Sequence, residues 1–405
     1  MFRRPTHACV ALGLLAALGA GADPSEADQE YIAKFLERFP KADSPPTLAE
    51  YASPAQFDER FLGEPLDKAL EKVDNNQGNI AWGLAYWMIA YNEMHQATGD
   101  PKYLAANLRC IKAVLAARDD KCGIELWTGE IAPAWSSDKY AKRGRAVFGV
   151  HTGMICYPIL DWLMLASAQP SSVSLTPEER DTILKETLEA LAWHDKQWRD
   201  GPGDGEGHYI MMDQEDGLDG RIKPGNRLSA LGRALWTAWK VTGDEKYKER
   251  ALRMGRYIKR RLTTGTDGAY YWEYWLPESP VTTPAERATI KGEDTSHAQL
   301  TMSFPLMLAA DGQVFDEEDV HKFGLTFTNG IARLGNGILM GSVTGDPKYQ
   351  PSLAQSPDGW LVPAWRIPEA RDQLVTFYLN HVPTPAPLDL ATLIRITAET
   401  KRAQR

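Results

Sequence analysis

One turn is written three times in this chain, and it constrains the fold more than any other feature. Thr98-Gly99-Asp100-Pro101-Lys102-Tyr103 recurs as Thr242-Gly243-Asp244-Glu245-Lys246-Tyr247 and as Thr344-Gly345-Asp346-Pro347-Lys348-Tyr349. Glycine supplies the left-handed residue that ends a helix, aspartate caps the next one, and proline is tolerated in its first turn. Around the first copy, Trp82, Tyr86, Ile89 and Glu93 upstream, and Tyr103, Ala106, Cys110, Ala113 and Val114 downstream, fall at helical spacing. The motif therefore reads as a helix–tight turn–helix device. The copies begin 144 and 102 residues apart, or about three and two units of roughly 50 residues each. From about Gln77 onward there is room for roughly six or seven such hairpins.

Other segments fit this count. Thr176-Pro177-Glu178-Glu179 is a capping box opening a helix to about Trp198. Residues 225–240, 292–310 and 316–334 also read as helices, whereas 267–276 is too aromatic and too glycine-flanked and reads as a short strand or loop insertion. The expected fold is all-α: an α/α toroid, an incomplete or closed barrel of six to seven hairpins with short β or loop insertions at the cleft. An α-solenoid is the alternative, but solenoid repeats are usually more regular.

The N-terminus reads as an address. Arg3 and Arg4, the apolar run 8–20 and Ala20-Gly21-Ala22 have the order of a secretory signal peptide. The expected organisation is a signal peptide over 1–22, an N-terminal extension over 23–74 and a toroidal catalytic domain over 75–405, with the product exported to the periplasm or beyond. The apolar run is short for a membrane span, so no stable membrane insertion is expected. The net charge of −9 argues against nucleic-acid binding, which needs a basic footprint. Cys110, Cys122 and Cys156 fit no zinc spacing. They read better as small buried hydrophobes than as a framework containing a Cys110–Cys122 disulfide.

Four segments are candidates for chemistry. In Gly292-Glu293-Asp294-Thr295-Ser296-His297, Glu293 and His297 are four apart and so share a helix face near its N-terminus, where Glu293 orients the imidazole; Asp294, three residues before His297, is also adjacent to it. The nearby Tyr270-Tyr271-Trp272-Glu273-Tyr274-Trp275 offers faces on which sugars stack. His151, at the start of an apolar helix, is either catalytic or a core histidine, and Arg143 and Arg145 upstream are either carboxylate binders or solvated loop charges. Asn226 and Arg227 open a helix much as Asn79 and Trp82 do at an earlier hairpin. Such asparagines are caps or cavity-facing amides. Glu206 and His208 lie in a glycine-rich loop, and the acidic run Asp213–Asp219 does not follow the EF-hand register. No Walker loop, HExxH, GxSxG or dinucleotide fingerprint occurs. Neither a cofactor nor a metal is expected.

The Trp82/Tyr86 helix, the TGDxKY turns, the aromatic segment and Glu293–His297 together resemble the toroidal alginate and glucuronan lyases of polysaccharide lyase family 38. That resemblance implies an anionic polysaccharide as partner and β-elimination after removal of the proton at C5. For that chemistry the residues are assigned from their own properties: Asn226 and Arg227 neutralise the uronate carboxylate, His297 or His151 is the base, and Tyr271 or Tyr274 the acid, with Glu293 orienting His297. Asn79, Trp82, Arg145, Trp272, Glu273 and His208 would line the substrate path. Three other readings are a glycoside hydrolase using Glu273 with Glu293 or Asp294, an epimerase sharing the proton abstraction, and a non-catalytic glycan-binding toroid.

Overall fold

The computed structural model describes residues 23–169, 173–212, 215–279 and 289–403. The expected signal peptide over 1–22 and Asp213 of the acidic run lie outside them. The eleven longer helices used below are α1 Glu26–Arg38, α2 Ala85–Thr98, α3 Pro101–Ala116, α4 Gly149–Ala168, α5 Pro177–Ala192, α6 Gly225–Thr242, α7 Glu245–Lys259, α8 Thr295–Ala310, α9 Glu317–Thr326, α10 Pro368–His381 and α11 Pro387–Ala403. They form an α/α toroid. Helix α2 packs on α4, α4 on α6, and α6 on α8. Helix α8 then meets the short turn Asp358–Trp360, which leads into Leu361–Ala364. Both short elements touch α11, and α11 returns to α2, closing the inner ring. An outer layer of α3, α5, α7, α9, α10 and the short helix Pro54–Phe61 backs this ring.

The first two repeated turns are built as the sequence predicts. Gly99 and Gly243 end α2 and α6 at φ 73° and 72°. The Asp100 and Asp244 side chains then accept from the Lys102 and Lys246 amides at 2.9 Å, opening α3 and α7. The third copy keeps the turn but not the second helix. Gly345 is left-handed at φ 69° and Asp346 accepts from the Lys348 amide at 3.0 Å, yet only the 3-10 turn Pro351–Ala354 follows. Pro351 disfavours helical geometry at Gln350, and Gln350 is extended at φ −75°, ψ 141°.

The Thr176 capping box opens α5 as expected, but the helix stops at Ala192 and tightens into a 3-10 turn, Trp193–Gln197. The insertions are two small antiparallel pairs. Trp198–Asp200 pairs with Gly207–Tyr209, and Thr263–Thr264 with Tyr270–Tyr271. The segment 23–74 packs into the body. Tyr31 of α1 donates to the Leu339 carbonyl at 2.8 Å, Phe35 lies 6.2 Å from Phe377, and Phe57 and Phe61 are buried against Tyr91, Tyr103 and Trp87. Cys110 and Cys156 are buried and free, and Cys122 is free at the surface. Among the described residues no helix is long and apolar enough to cross a membrane.

Inner helices approach closely where glycine allows it. A Cβ on Gly153 of α4 would stand 2.4 Å from the Ala230 carbonyl carbon of α6, and one on Gly232 would stand 2.5 Å from the Phe304 ring of α8. Backbone cannot yield as a flexible side chain can, so overpacking here is costly. Gly153→Ala should therefore destabilise the protein by about 3 kcal/mol in denaturant unfolding. Gly83→Ala, where an added Cβ meets nothing within 4 Å, should leave stability nearly unchanged.

Candidate active site

The toroid encloses two connected chambers. The outer one, about 450 Å³, is lined by Trp82, Tyr86, Tyr140, Asn226, His297 and Asp358 among others. The deeper one, about 330 Å³, shares Tyr86, Gln299, Leu300, Asp358 and Leu388 with it and adds Glu93, Tyr157, Arg233 and Arg395. Trp82 sits on a π-helical turn, Ile80–Leu84, a local departure from α geometry that recurs at functional sites.

His297 is placed by its helix start. Asp294 is the N-cap of α8: its Oδ1 accepts from the His297 amide at 3.0 Å and from the Ser296 hydroxyl at 2.6 Å. Its Oδ2 lies 2.6 Å from His297 Nδ1. A carboxylate at Nδ1 assigns the proton to that nitrogen and leaves the lone pair on Nε2. Burial would raise the Asp294 pKa, but the hydrogen bonds and charge of His297, with Ser296, hold it below the usual value. The imidazole itself is about half exposed, at 47%. The Tyr274 ring stands edge-on to it at 5.2 Å. Burial raises the Tyr274 phenol, against a hydrogen bond and positive charge from Arg227.

Glu293 is not the residue that orients His297. Helix α8 begins at Thr295 rather than Gly292, so Glu293 and His297 share no helix face. Glu293 is fully buried and accepts from Trp272 Nε1 at 2.5 Å. Burial pushes its carboxyl well above the ordinary range, against the hydrogen bond from Trp272.

Arg227 holds Glu215 and Asp216 at 2.8 and 2.7 Å, and Lys223 also pairs with Glu215. Its guanidinium is thus engaged, with Tyr140 and Tyr274 beside it. Asn226 is buried, and its carboxamide oxygen has no partner among the described residues. Trp82 Nε1, in the same chamber, has none either.

His151 lies behind this wall. It is fully buried, with Nδ1 3.2 Å from the Asn75 amide nitrogen and its ring against Trp82, Tyr140 and Phe148. Burial lowers its pKa to about 3, so it is neutral at ordinary pH. The remaining candidates are dispersed. Tyr271 donates to Asp267 at 2.6 Å, and Trp272 is core. Glu273 accepts from the Lys291 amide at 3.3 Å. Arg145 is tied to Ser136 and Asn76, and exposed Asn79 to Asp74. His208 packs on Tyr257, and Glu206 is held by Arg260 and Arg261. Arg143 is exposed. Of the aromatic cluster, Tyr274 is the member that reaches His297.

Tyr140, Asp358 and Arg233 were not singled out by sequence reasoning. Asp358 follows Ser356-Pro357 and reads as an ordinary loop acid. Ser356 is nevertheless left-handed at φ 46°, and burial together with Asp389 pushes the Asp358 carboxyl well above its usual value. Arg233 did leave a signal, a lone charge inside the apolar stretch Leu228–Trp236.

No family model matches the chain, and no curated protein matches it. Solved structures do. The chain is 14% identical to a D-mannose isomerase over 95% of this chain and 100% of that one, with a TM-score of 0.48. It is 15% identical to the GH76A α-1,6-mannanase from Salegentibacter sp. HEL1_6, over 87% of this chain and 98% of that one, with a TM-score of 0.47. An unsaturated glucuronyl hydrolase specific for heparin is 12% identical over 88% and 98% of the two chains, with a TM-score of 0.34.

The buried Glu293 makes stability pH-dependent. Because its folded pKa is raised, its neutral form fits the fold. Stability is fullest below the ordinary value near 4.5 and falls as pH rises toward the folded value. Glu293→Gln keeps an acceptor for Trp272 and removes the ionisation. It should raise the melting temperature by a few degrees at about pH 8 and change nothing at about pH 4.

Proposed function

We propose that this chain is an exported polysaccharide lyase that cleaves a uronic-acid-containing polysaccharide by β-elimination. The observation that carries this reading is the His297–Asp294 pair, with the imidazole half open to a sugar-sized, aromatic-walled cavity, Tyr274 beside it and the Asn226 side chain in the cavity wall. The leader-like N-terminus supports export, and residues 75–405 form the catalytic body that the helices of 23–74 brace.

The uronate carboxylate accepts from the Asn226 amide nitrogen, so that charge building up on it at the transition state is met by a fixed dipole, while the Asn226 amide oxygen takes a sugar hydroxyl. His297 Nε2 takes the C5 proton. The electron pair of that C–H bond forms the C4–C5 double bond as the C4–O4 bond breaks, and Tyr274 protonates the departing O4. Arg227, already paired with two carboxylates, positions Tyr274 and stabilises its phenolate between turnovers. Trp82, Tyr86 and Tyr140 supply stacking faces.

A second reading rests on a different pair. Asp294, behind His297, is held below its usual pKa, whereas Asp358, in the cavity wall, is pushed above its own by burial and Asp389, a contrast of the kind that an acid and a base need in a hydrolase. It replaces the expected Glu273 and Glu293 pair, of which Glu293 is sealed in the core.

Purified protein on alginate, glucuronan, pectate and glycosaminoglycans should generate the ultraviolet absorbance of a 4,5-unsaturated uronate. His297→Ala should reduce that rate by about 10²–10⁴-fold with an unchanged melting curve, and Tyr274→Phe should also lower it. New reducing ends without the absorbance would transfer the assignment to hydrolysis. Full activity in the His297 variant would overturn the base assignment.

A further inference from the structure

Arg233 points to a second anion site that the elimination chemistry does not use. It lies on α6 seven residues beyond Asn226, two helix turns or about 10 Å deeper, and it lines the deeper chamber. It is 8% exposed, yet no carboxylate among the described residues lies within ion-pairing distance. One terminal nitrogen meets only the Met154 sulfur at 3.1 Å, Nε has no partner, and the Tyr157 ring lies 4.5 Å from its carbon.

Arginine does not discharge by losing its proton, and a buried charge without a counterion is costly. The nearby acids do not neutralise it. Glu93 is paired with Arg395, which also holds Glu399 at 2.7 Å, and Asp358 is driven toward its neutral form by burial and by Asp389. Lys139, which lines the outer chamber, is exposed. Arg233 is therefore the buried cation of the cavity left without an anion.

We propose that the deeper chamber is a binding subsite for an anionic sugar unit, whose carboxylate pairs with the Arg233 guanidinium. This rests on the reading of the outer chamber as the reaction site and deepens it: a substrate filling both chambers carries acid groups on successive parts of its chain, and neutral glycans are selected against. The planar fork suits a carboxylate in two-point contact. Tyr86 and Tyr157 offer the sugar ring its faces.

Calorimetric titration separates this from the proposed activity, because it needs no turnover. D-glucuronate should bind the wild type, while D-glucose and acetate should bind much more weakly. Arg233→Met should weaken glucuronate binding by about tenfold or more, the scale of a lost charge-assisted contact, and Arg233→Lys should recover part of it. Arg233→Met removes a buried charge and should fold at least as well as the wild type, which its melting curve checks. Equal affinity in wild type and Arg233→Met, absent binding in the wild type, or acetate binding as well as glucuronate would each overturn the subsite. Binding with no elimination on any polyuronate would leave the subsite standing and remove the lyase. Elimination with Arg233-independent binding would do the reverse.

Discussion

A helix buried on nearly every side keeps polar side chains only where something satisfies them, and α6 is such a helix. It packs against α4, α7 and α8, yet Asn226, Arg227, Ser229, Arg233 and Thr237 are all buried on it. Ser229 donates to the Thr301 carbonyl at 2.6 Å and Thr237 to the Arg233 carbonyl at 2.9 Å, while Arg227 is neutralised by Glu215 and Asp216. What remains is an amide oxygen on Asn226 and a guanidinium on Arg233, both on the cavity side. An unpaired buried polar group is a cost that packing does not recover, and on the proposed reading a substrate offsets it, with a hydroxyl for the amide oxygen and a carboxylate for the guanidinium.

The backbone around the cavity departs from regular geometry in the same places. Trp82 rides a π-turn, Ser356 holds a left-handed conformation beside Asp358, and Asp294 gives its carboxylate to both a helix cap and an imidazole. None of these is needed to close a ring of helices. Gly153 helps that closure by letting α4 meet the α6 backbone, and Gly232 by admitting the Phe304 ring of α8 against α6. The ring is therefore rigid where its helices touch and irregular at the ends that open onto the cavity, which suits a site whose groups must be held in place before a substrate arrives.

This division explains what was legible in the sequence. The repeated Thr-Gly-Asp turns and the Thr176 box are local devices, and local chemistry is visible in one dimension, so the hairpins and the α/α toroid could be read. The third turn leads to Pro351, which disfavours helical geometry at Gln350, and only a 3-10 turn follows it. His297 and Asn226 were visible as polar residues at helix starts. Glu293 was misplaced because three residues of helix boundary decide which carboxylate meets the imidazole. The run from Tyr270 to Trp275 advertised a sugar platform, but the pleat of a short strand and the turn after it send those rings different ways: Tyr270 to Asp319, Trp272 to Glu293, Tyr274 to His297, Trp275 over Arg221. Asp358 owes its significance to burial beside Asp389, and Arg233 to a missing partner, and both are properties of three-dimensional surroundings.

The electrostatics of the cavity resolve an apparent conflict with the chain's net charge. At −9 the protein as a whole repels a polyanion, but beyond about 8 Å that field is screened at physiological salt. Inside the toroid the balance is set by groups in low dielectric, where each charge counts for more. Burial and Asp389 push the Asp358 carboxyl well above its usual value, and burial raises Asp389 to about 6 despite hydrogen bonds from Tyr378 and Ala386. Glu93 and Arg395 cancel one another. A cavity lined by several acids is thereby left positive at Arg233, because the same desolvation that suppresses carboxylate ionisation cannot discharge a guanidinium.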